Sequence, residues 1–230
     1  MSEPSRIHRE NRVSLGRRLF LAVAFAVLAC LVPVAQTAAN PPPPVPLGES
    51  ERGAVDRIQA YLNGIKTVQA EFLQASSNGE LARGNLYISR PGRLRIEYQP
   101  PVPVLVVADG TFLIYYDREL NQVSYIPLGS SPAGILLDDQ ISLTGGDLTI
   151  TGFKQENGTF QVTLVRTENP MEGSLTLVLT DAPLTLRKWA VTDAQGIVTN
   201  VSLVKANFGV PLDPKLFRFK NPKIFQDKFD

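Results

Sequence analysis

Between residues 67 and 206 the chain alternates. Val68, Ala70 and Phe72 are interleaved with Gln69, Glu71 and Leu73, and Leu94, Ile96 and Tyr98 with Arg93, Arg95 and Glu97. In "LYISRPGRL" (86–94), Leu86 and Ile88 share a face with Arg90. A strand turns successive side chains to opposite faces, so this pattern predicts half-buried strands. Further strands are predicted at 102–108, 111–116, 122–127, 147–154, 159–167, 173–180, 184–192, 197–206 and 216–220. Turn signals such as "ADG", "ENG" and "DAQG" separate several of them.

Two stretches depart from the alternation. Val55, Ile58, Leu62 and Ile65 recur at three- and four-residue steps, which predicts a helix with one apolar face. Ser50 is its expected N-cap and Asn63-Gly64 its expected end. In "GSSPAGILLDD" (129–139), Ser131 is a candidate N-cap and Pro132 suits the first helical position, so a short helix should carry Ile135, Leu136 and Leu137. A further turn is expected in "DPKLF" from Asp213. About eleven strands and few helices predict a mainly β fold, a large antiparallel sheet that curls. Closing it fully gives a barrel. The more economical arrangement is an unclosed half-barrel with an α-helical lid, in which the two helices cover its mouth.

The N-terminus carries a different pattern. Arg17 and Arg18 precede the apolar run Leu19 to Val32, and "QTAAN" offers a cleavage site after Ala39. The run is too short to span a bilayer and fits a signal peptide over 1–39. Export through the general secretory route is expected. The paired arginines leave the twin-arginine route open, and Cys30 in "VLAC" leaves a lipid anchor open. The Pro-rich stretch 40–48 is a stiff lead-in, and 49–230 forms one domain.

Cleavage would change the available chemistry. Cys30 and His8 are the single cysteine and histidine, and both lie in the leader. The exported chain would have no disulfide, no Ser-His-Asp triad and no histidine metal site, so no catalytic residue, metal or cofactor is expected. Charge narrows the partners. Of 23 basic and 22 acidic residues, five and two lie in 1–39, leaving 18 and 20, a net of −2. Nucleic-acid binding is not indicated. Asp109, Asp117, Glu119, Asp138, Asp139 and Asp147 fall mostly in turn-like stretches, where solvated carboxylates are the ordinary outcome.

The segments "VQAEFLQ" (68–74), "GNLYISRPGRLRIEY" (84–98), "VLVVADGTFLIYYDRELNQVSYIPL" (104–128), "SPAGILL" and "DPKLFRF" resemble the LolA family of periplasmic lipoprotein carriers across nearly all of residues 50–220. That resemblance implies an unclosed antiparallel barrel with a helical lid and an apolar concave face. It implies a periplasmic, monomeric chaperone that takes acylated lipoproteins from an inner-membrane ABC-type exporter to an outer-membrane acceptor. It also implies that Arg90, followed by Pro91, points inward and hydrogen-bonds to the lid, that Pro132, Ile135, Leu136 and Leu137 form that lid, and that cargo is bound rather than reacted. Phe72, Leu86, Ile88, Leu94, Ile96, Tyr98, Leu113 and Tyr115 are the candidate cavity lining. The segment departs from the family at Tyr87, where Trp is common, and at the small Ala133-Gly134 pair. Another lipid, such as a glycolipid, or a lipid-sensing role are the alternatives on the same fold, since fold alone does not decide function.

Overall fold

Hairpins account for nearly all of the topology. The computed structural model describes residues 43–222, so the leader expected at 1–39, with Cys30 and His8, lies outside the described residues. After α1 (Glu49–Gly64), the chain runs through β1 (Thr67–Ser76), β2 (Leu81–Ser89), β3 (Arg93–Tyr98), β4 (Val104–Asp109), β5 (Phe112–Asp117) and β6 (Gln122–Pro127). It continues through β7 (Leu148–Glu156), β8 (Thr159–Arg166), β9 (Gly173–Thr180), β10 (Thr185–Asp193) and β11 (Val198–Phe208). All pair antiparallel in one sheet of order β6-β5-β4-β3-β2-β1-β11-β10-β9-β8-β7. β6 and β7 are the two ends and do not pair with each other, so the sheet is unclosed. Bulges at Gln69/Glu71, Ile150/Gly152 and Leu186/Lys188 add local twist and bend, as a curled sheet requires.

The one connection that leaves the meander joins β6 to β7, from one edge to the other. It carries two 3-10 helices, Leu128–Ser130 and Pro132–Leu137. The second packs on β9 and β10. Ala54, Val55, Ile58 and Leu62 of α1 and Ile135, Leu136 and Leu137 of this 3-10 helix join one core with the inner residues of β1–β3 and β7–β11. Full burial of Val55, Ile58 and Leu62 stabilises by roughly 1.5–3 kcal/mol each.

Local details differ from expectation at three places. Ser50 lies inside α1. Gly48 is the N-cap, and its N–H donates to the Glu51 carboxylate at 2.7 Å. Ser131 precedes Pro132–Leu137 without a side-chain cap bond, and the helix is of the 3-10 type. Residues 216–220 form no strand. Asp213 accepts from the Lys215 N–H, Pro214–Phe217 make a 3-10 turn, and Phe217 is buried on β3 and β4 instead of pairing. At the other end, Val45 N–H donates to Ile150 O at 2.8 Å. The proline-flanked lead-in thus lies along β7, an edge otherwise open to pairing with another chain.

Candidate functional site

The hydrogen bonds across the sheet register the inner face. Val68, Ile88, Leu94, Ala108, Leu113 and Ile126 lie in one row from β1 to β6, and Ala70, Leu86, Ile96, Val106, Tyr115 and Ser124 in the next. Phe72 and Tyr98 sit on the same face on either side of Gly84, their rings edge-to-face at 5.4 Å. A Cβ at Gly84 would fall 2.0 Å from the Glu97 carbonyl oxygen, so this crossing needs glycine. The eight residues named as cavity lining therefore share one face. Their exposure is graded. Phe72, Leu86, Ile88 and Leu94 are buried, Ile96, Tyr98 and Leu113 are half-buried, and Tyr115 is 42% exposed.

Arg90 follows β2 and continues its inner row. It is 8% exposed and is the one charged residue buried among those described. Its guanidinium joins two elements. Nη1 donates to Leu62 O and Ile65 O, at the C-terminal end of α1. Nε donates to Asp138 O at 2.7 Å, and Nη2 to Asp138 O and Asp139 O, at the end of Pro132–Leu137. Helix ends leave carbonyls without intrahelical partners, and a planar cation with five donors can serve several at once. The partial negative charge of those ends favours the cation. Burial lowers the Arg90 pKa, and Asp138 and Asp139 oppose that shift. The guanidinium remains protonated at any ordinary pH.

The turn after Arg90 adds a backbone bond. Pro91 is exposed, the Arg90–Pro91 peptide is cis, and the Gly92 N–H donates to Leu137 O at 2.8 Å. Pro132, Ile135, Leu136 and Leu137 are all buried. Gly134 in this segment is explained by contact. A Cβ there would lie 2.4 Å from the Leu128 carbonyl oxygen.

Several partners were not visible in sequence. Asp138, grouped with the solvated carboxylates, is half-buried and meets Arg166 at 3.3 Å. Burial raises its pKa, and Arg166 and then Arg90 pull it back. Asn63 reads as a helix stop in the sequence. Its side chain also donates to Ile141 O and accepts from Ile141 N–H, while Gln59 accepts from Leu143 N–H. These tie α1 to the crossover. Inside the apolar wall, Tyr98 donates to Gln74 at 2.7 Å, and burial pushes the Tyr98 pKa up to about 12. Asp109 and Asp117 behave as turn residues, and Asp139 meets Lys66 at 3.8 Å. Asp109 accepts from Thr111 and Phe112 N–H, and Asp117 from Glu119 and Leu120 N–H. Trp189 is core, 5% exposed. Among the described residues no helix is long and apolar enough to cross a membrane, and no group of three His, Cys, Asp or Glu converges.

Known proteins resemble this chain. The family model described as "Outer membrane lipoprotein carrier protein LolA" matches residues 63–220. The outer-membrane lipoprotein carrier protein of Methylococcus capsulatus is 30% identical over 193 residues, covering 78% of this chain and 91% of that one. The protein of the same name from Legionella pneumophila strain Corby is 31% identical over 174 residues, covering 72% and 85%. Among solved structures, a putative outer membrane lipoprotein-sorting protein domain from Vibrio parahaemolyticus aligns with a TM-score of 0.47 at 12% identity, covering 72% of this chain and 95% of that one.

Proposed function

This chain belongs to the LolA family of outer membrane lipoprotein carrier proteins, and from that premise we propose that it is a periplasmic shuttle for acylated lipoproteins. It takes them from an ATP-driven exporter in the inner membrane, holds their acyl chains against the inner wall of the sheet, and passes them to an acceptor at the outer membrane. The reading requires export, for which residues 1–39 supply the signal. The cargo is carried without reaction.

The observation that supports this reading is the Arg90 junction over an apolar wall. One guanidinium holds α1 and Pro132–Leu137 together. An acyl chain gains about 0.8 kcal/mol per buried methylene, so a sixteen-carbon chain brings roughly 10 kcal/mol. Each charge-assisted bond is worth about 1.5–3 kcal/mol net. The five bonds of the junction together are of the same order, so a chain entering from the exposed β5–β6 side competes with the latch. α1 and Pro132–Leu137 bury the β8–β10 part of the apolar wall, which limits the apolar area left exposed. Arg90 is the latch, Ile135, Leu136 and Leu137 are the lid contacts, and Leu113 and Tyr115 are where cargo first meets the wall.

The test is a release assay with spheroplasts of the protein's own organism. ATP-dependent appearance of acylated lipoproteins bound to the added protein is the expected result. Recovery of free lipid alone would reject the cargo assignment and keep the lipid-binding wall. Recovery of nothing would reject both. Wild-type loading and release by Arg90→Leu would remove the latch from the mechanism.

A further inference from the structure

The outer face of β3–β5 carries a second arrangement, on the side of the sheet opposite the apolar wall. Pro214–Phe217 and residues 218–220 cross it as a strap. Phe217 is buried beneath, the Phe219 and Tyr116 rings lie 5.7 Å apart, and Arg95 donates to Leu216 O at 3.0 Å. The strap leaves a cavity on each side. One of about 530 Å³ is bounded by Arg93, Asp109, Ile114, Arg218 and Lys220. The other, of about 610 Å³, is bounded by Arg95, Leu105, Tyr116, Lys215 and Arg218.

The charges here are unbalanced. Arg95 meets Glu97 at 2.6 Å, but Arg93, Lys215, Arg218 and Lys220 have no carboxylate partner among the described residues. The Asp109 carboxylate, which stands across from Arg93 in the β3–β4 register and accepts from two backbone N–H groups, is the single carboxylate among the described residues bounding these cavities, so positive charge remains in excess. Four cations on one face without an ion-pair partner among the described residues stand out in a chain whose residues 40–230 carry a net −2. Beside the strap, Phe112 and Tyr125 are 39% and 49% exposed, with rings edge-to-face at 6.0 Å. Cross-strand pairing of Ile114 with Tyr125 and of Phe112 with Pro127 puts both rings on this same outer face.

Lysine and arginine beside exposed aromatic rings are the composition that settles at a bilayer interface. The cations meet anionic headgroups and the rings lie at headgroup level. We propose that this outer face docks the protein on an anionic phospholipid surface, with headgroup phosphates received beside the strap and Phe112 and Tyr125 at the interface. The contact is electrostatic and reversible, and it leaves the apolar wall on the other face free. It does not depend on which cargo the wall carries.

Co-sedimentation of the cargo-free protein with vesicles tests this. Phosphatidylethanolamine vesicles containing phosphatidylglycerol should bind it, and neutral phosphatidylcholine vesicles should not. Binding should be lost in about 0.5 M salt, where the screening length falls to about 4 Å. Each base near an anionic surface strengthens partitioning about fivefold, so the exposed pair Arg218→Glu/Lys220→Glu should weaken it at least tenfold. Phe112→Ser should weaken it less, measured at low salt where the wild type binds. Lys154→Glu/Arg187→Glu, exposed on the other flank, should leave it unchanged. Equal binding to neutral vesicles, equal loss in the two charge-reversed variants, binding only to an acidic polypeptide, or no vesicle binding would each overturn the proposal.

Discussion

The two flanks of the sheet are written in the same alternating code and finish differently. On the β8–β9 flank, the inner residues Phe160, Val162, Leu164, Leu175, Leu177 and Leu179 are all 0% exposed. On the β5–β6 flank, the inner residues Tyr115 and Ile126 are 42% and 41% exposed. The difference comes from the covers: α1 reaches the β8–β9 flank, with Arg57 over the Phe160 ring at 5.5 Å and the Tyr61 hydroxyl accepting from Leu186 N–H at 3.0 Å, and the crossover joins it. The crossover leaves β6 and lays Pro132–Leu137 on β9 and β10, so the cover falls on one flank. An apolar row marks a face that repels water but does not say that anything covers it. The β8–β9 flank is sealed, and the β5–β6 flank leaves part of its apolar row in water.

This contrast can be broken, and the largest effect should come from the sealed side. Phe160→Ala should cost about 3–5 kcal/mol in chemical denaturation, through lost transfer energy and the cavity left behind. A loss below about 1 kcal/mol would mean that flank is not scaffold. Next is Arg90→Leu, which removes the donor from four carbonyls at the ends of α1 and Pro132–Leu137. It should cost about 3 kcal/mol or more, since it also leaves those carbonyls unpaired. Hydrogen exchange should quicken in both covering helices while β8 and β9 stay protected. Uniform quickening would make Arg90 a general core residue rather than the junction of the covers.

Alkaline denaturation should reveal Tyr98, on the boundary between the flanks. Its pKa of about 12 in the fold lies above the ordinary value of 10.0. The neutral phenol is therefore favoured by folding, and its contribution is complete below pH 10. It is lost as pH rises through the folded value, by roughly 2–3 kcal/mol over that window. Tyr98→Phe should flatten this part of the stability profile, and an unchanged slope would count against burial of the phenol. The Asp138 shift has the same direction. Its carboxylate is disfavoured by burial, so this cost eases as pH falls toward the ordinary carboxylate range. The smallest stability effect belongs to the open wall. Tyr115→Ser and Ile126→Ser should stay within about 0.5 kcal/mol of wild type, yet lower lipoprotein loading. Normal loading by both would place the cargo elsewhere.

Much of this molecule was legible along the chain. Period two located the strands to within a few residues, because each strand has one wet and one dry side and the alternation records it. The spacing of Val55, Ile58 and Leu62 located the one long helix. It failed at 216–220, where a strand-like alternation of Phe217 and Phe219 serves a 3-10 strap. A short apolar alternation is satisfied by any packing that buries Phe217, paired or not. The position of Arg90 on the dry face was also legible, since parity alone put it with Leu86 and Ile88.

By itself, the sequence determined local geometry: which residues form strands, which face of each is apolar, where turns fall, and that one arginine stands on the dry side. Only the tertiary structure decided which flank the crossover covers. It alone brought Leu62 and Ile65 to the same guanidinium as Asp138 and Asp139, and turned Asp138 from a turn residue into a partner of Arg166. It also gathered Arg93 of β3 with Lys215, Arg218 and Lys220 of the strap that crosses the outer face. The physical reason is separation along the chain. Alternation is set by each residue's own backbone, whereas these contacts join groups dozens of positions apart, and sheet register and the path of one long connection settle them.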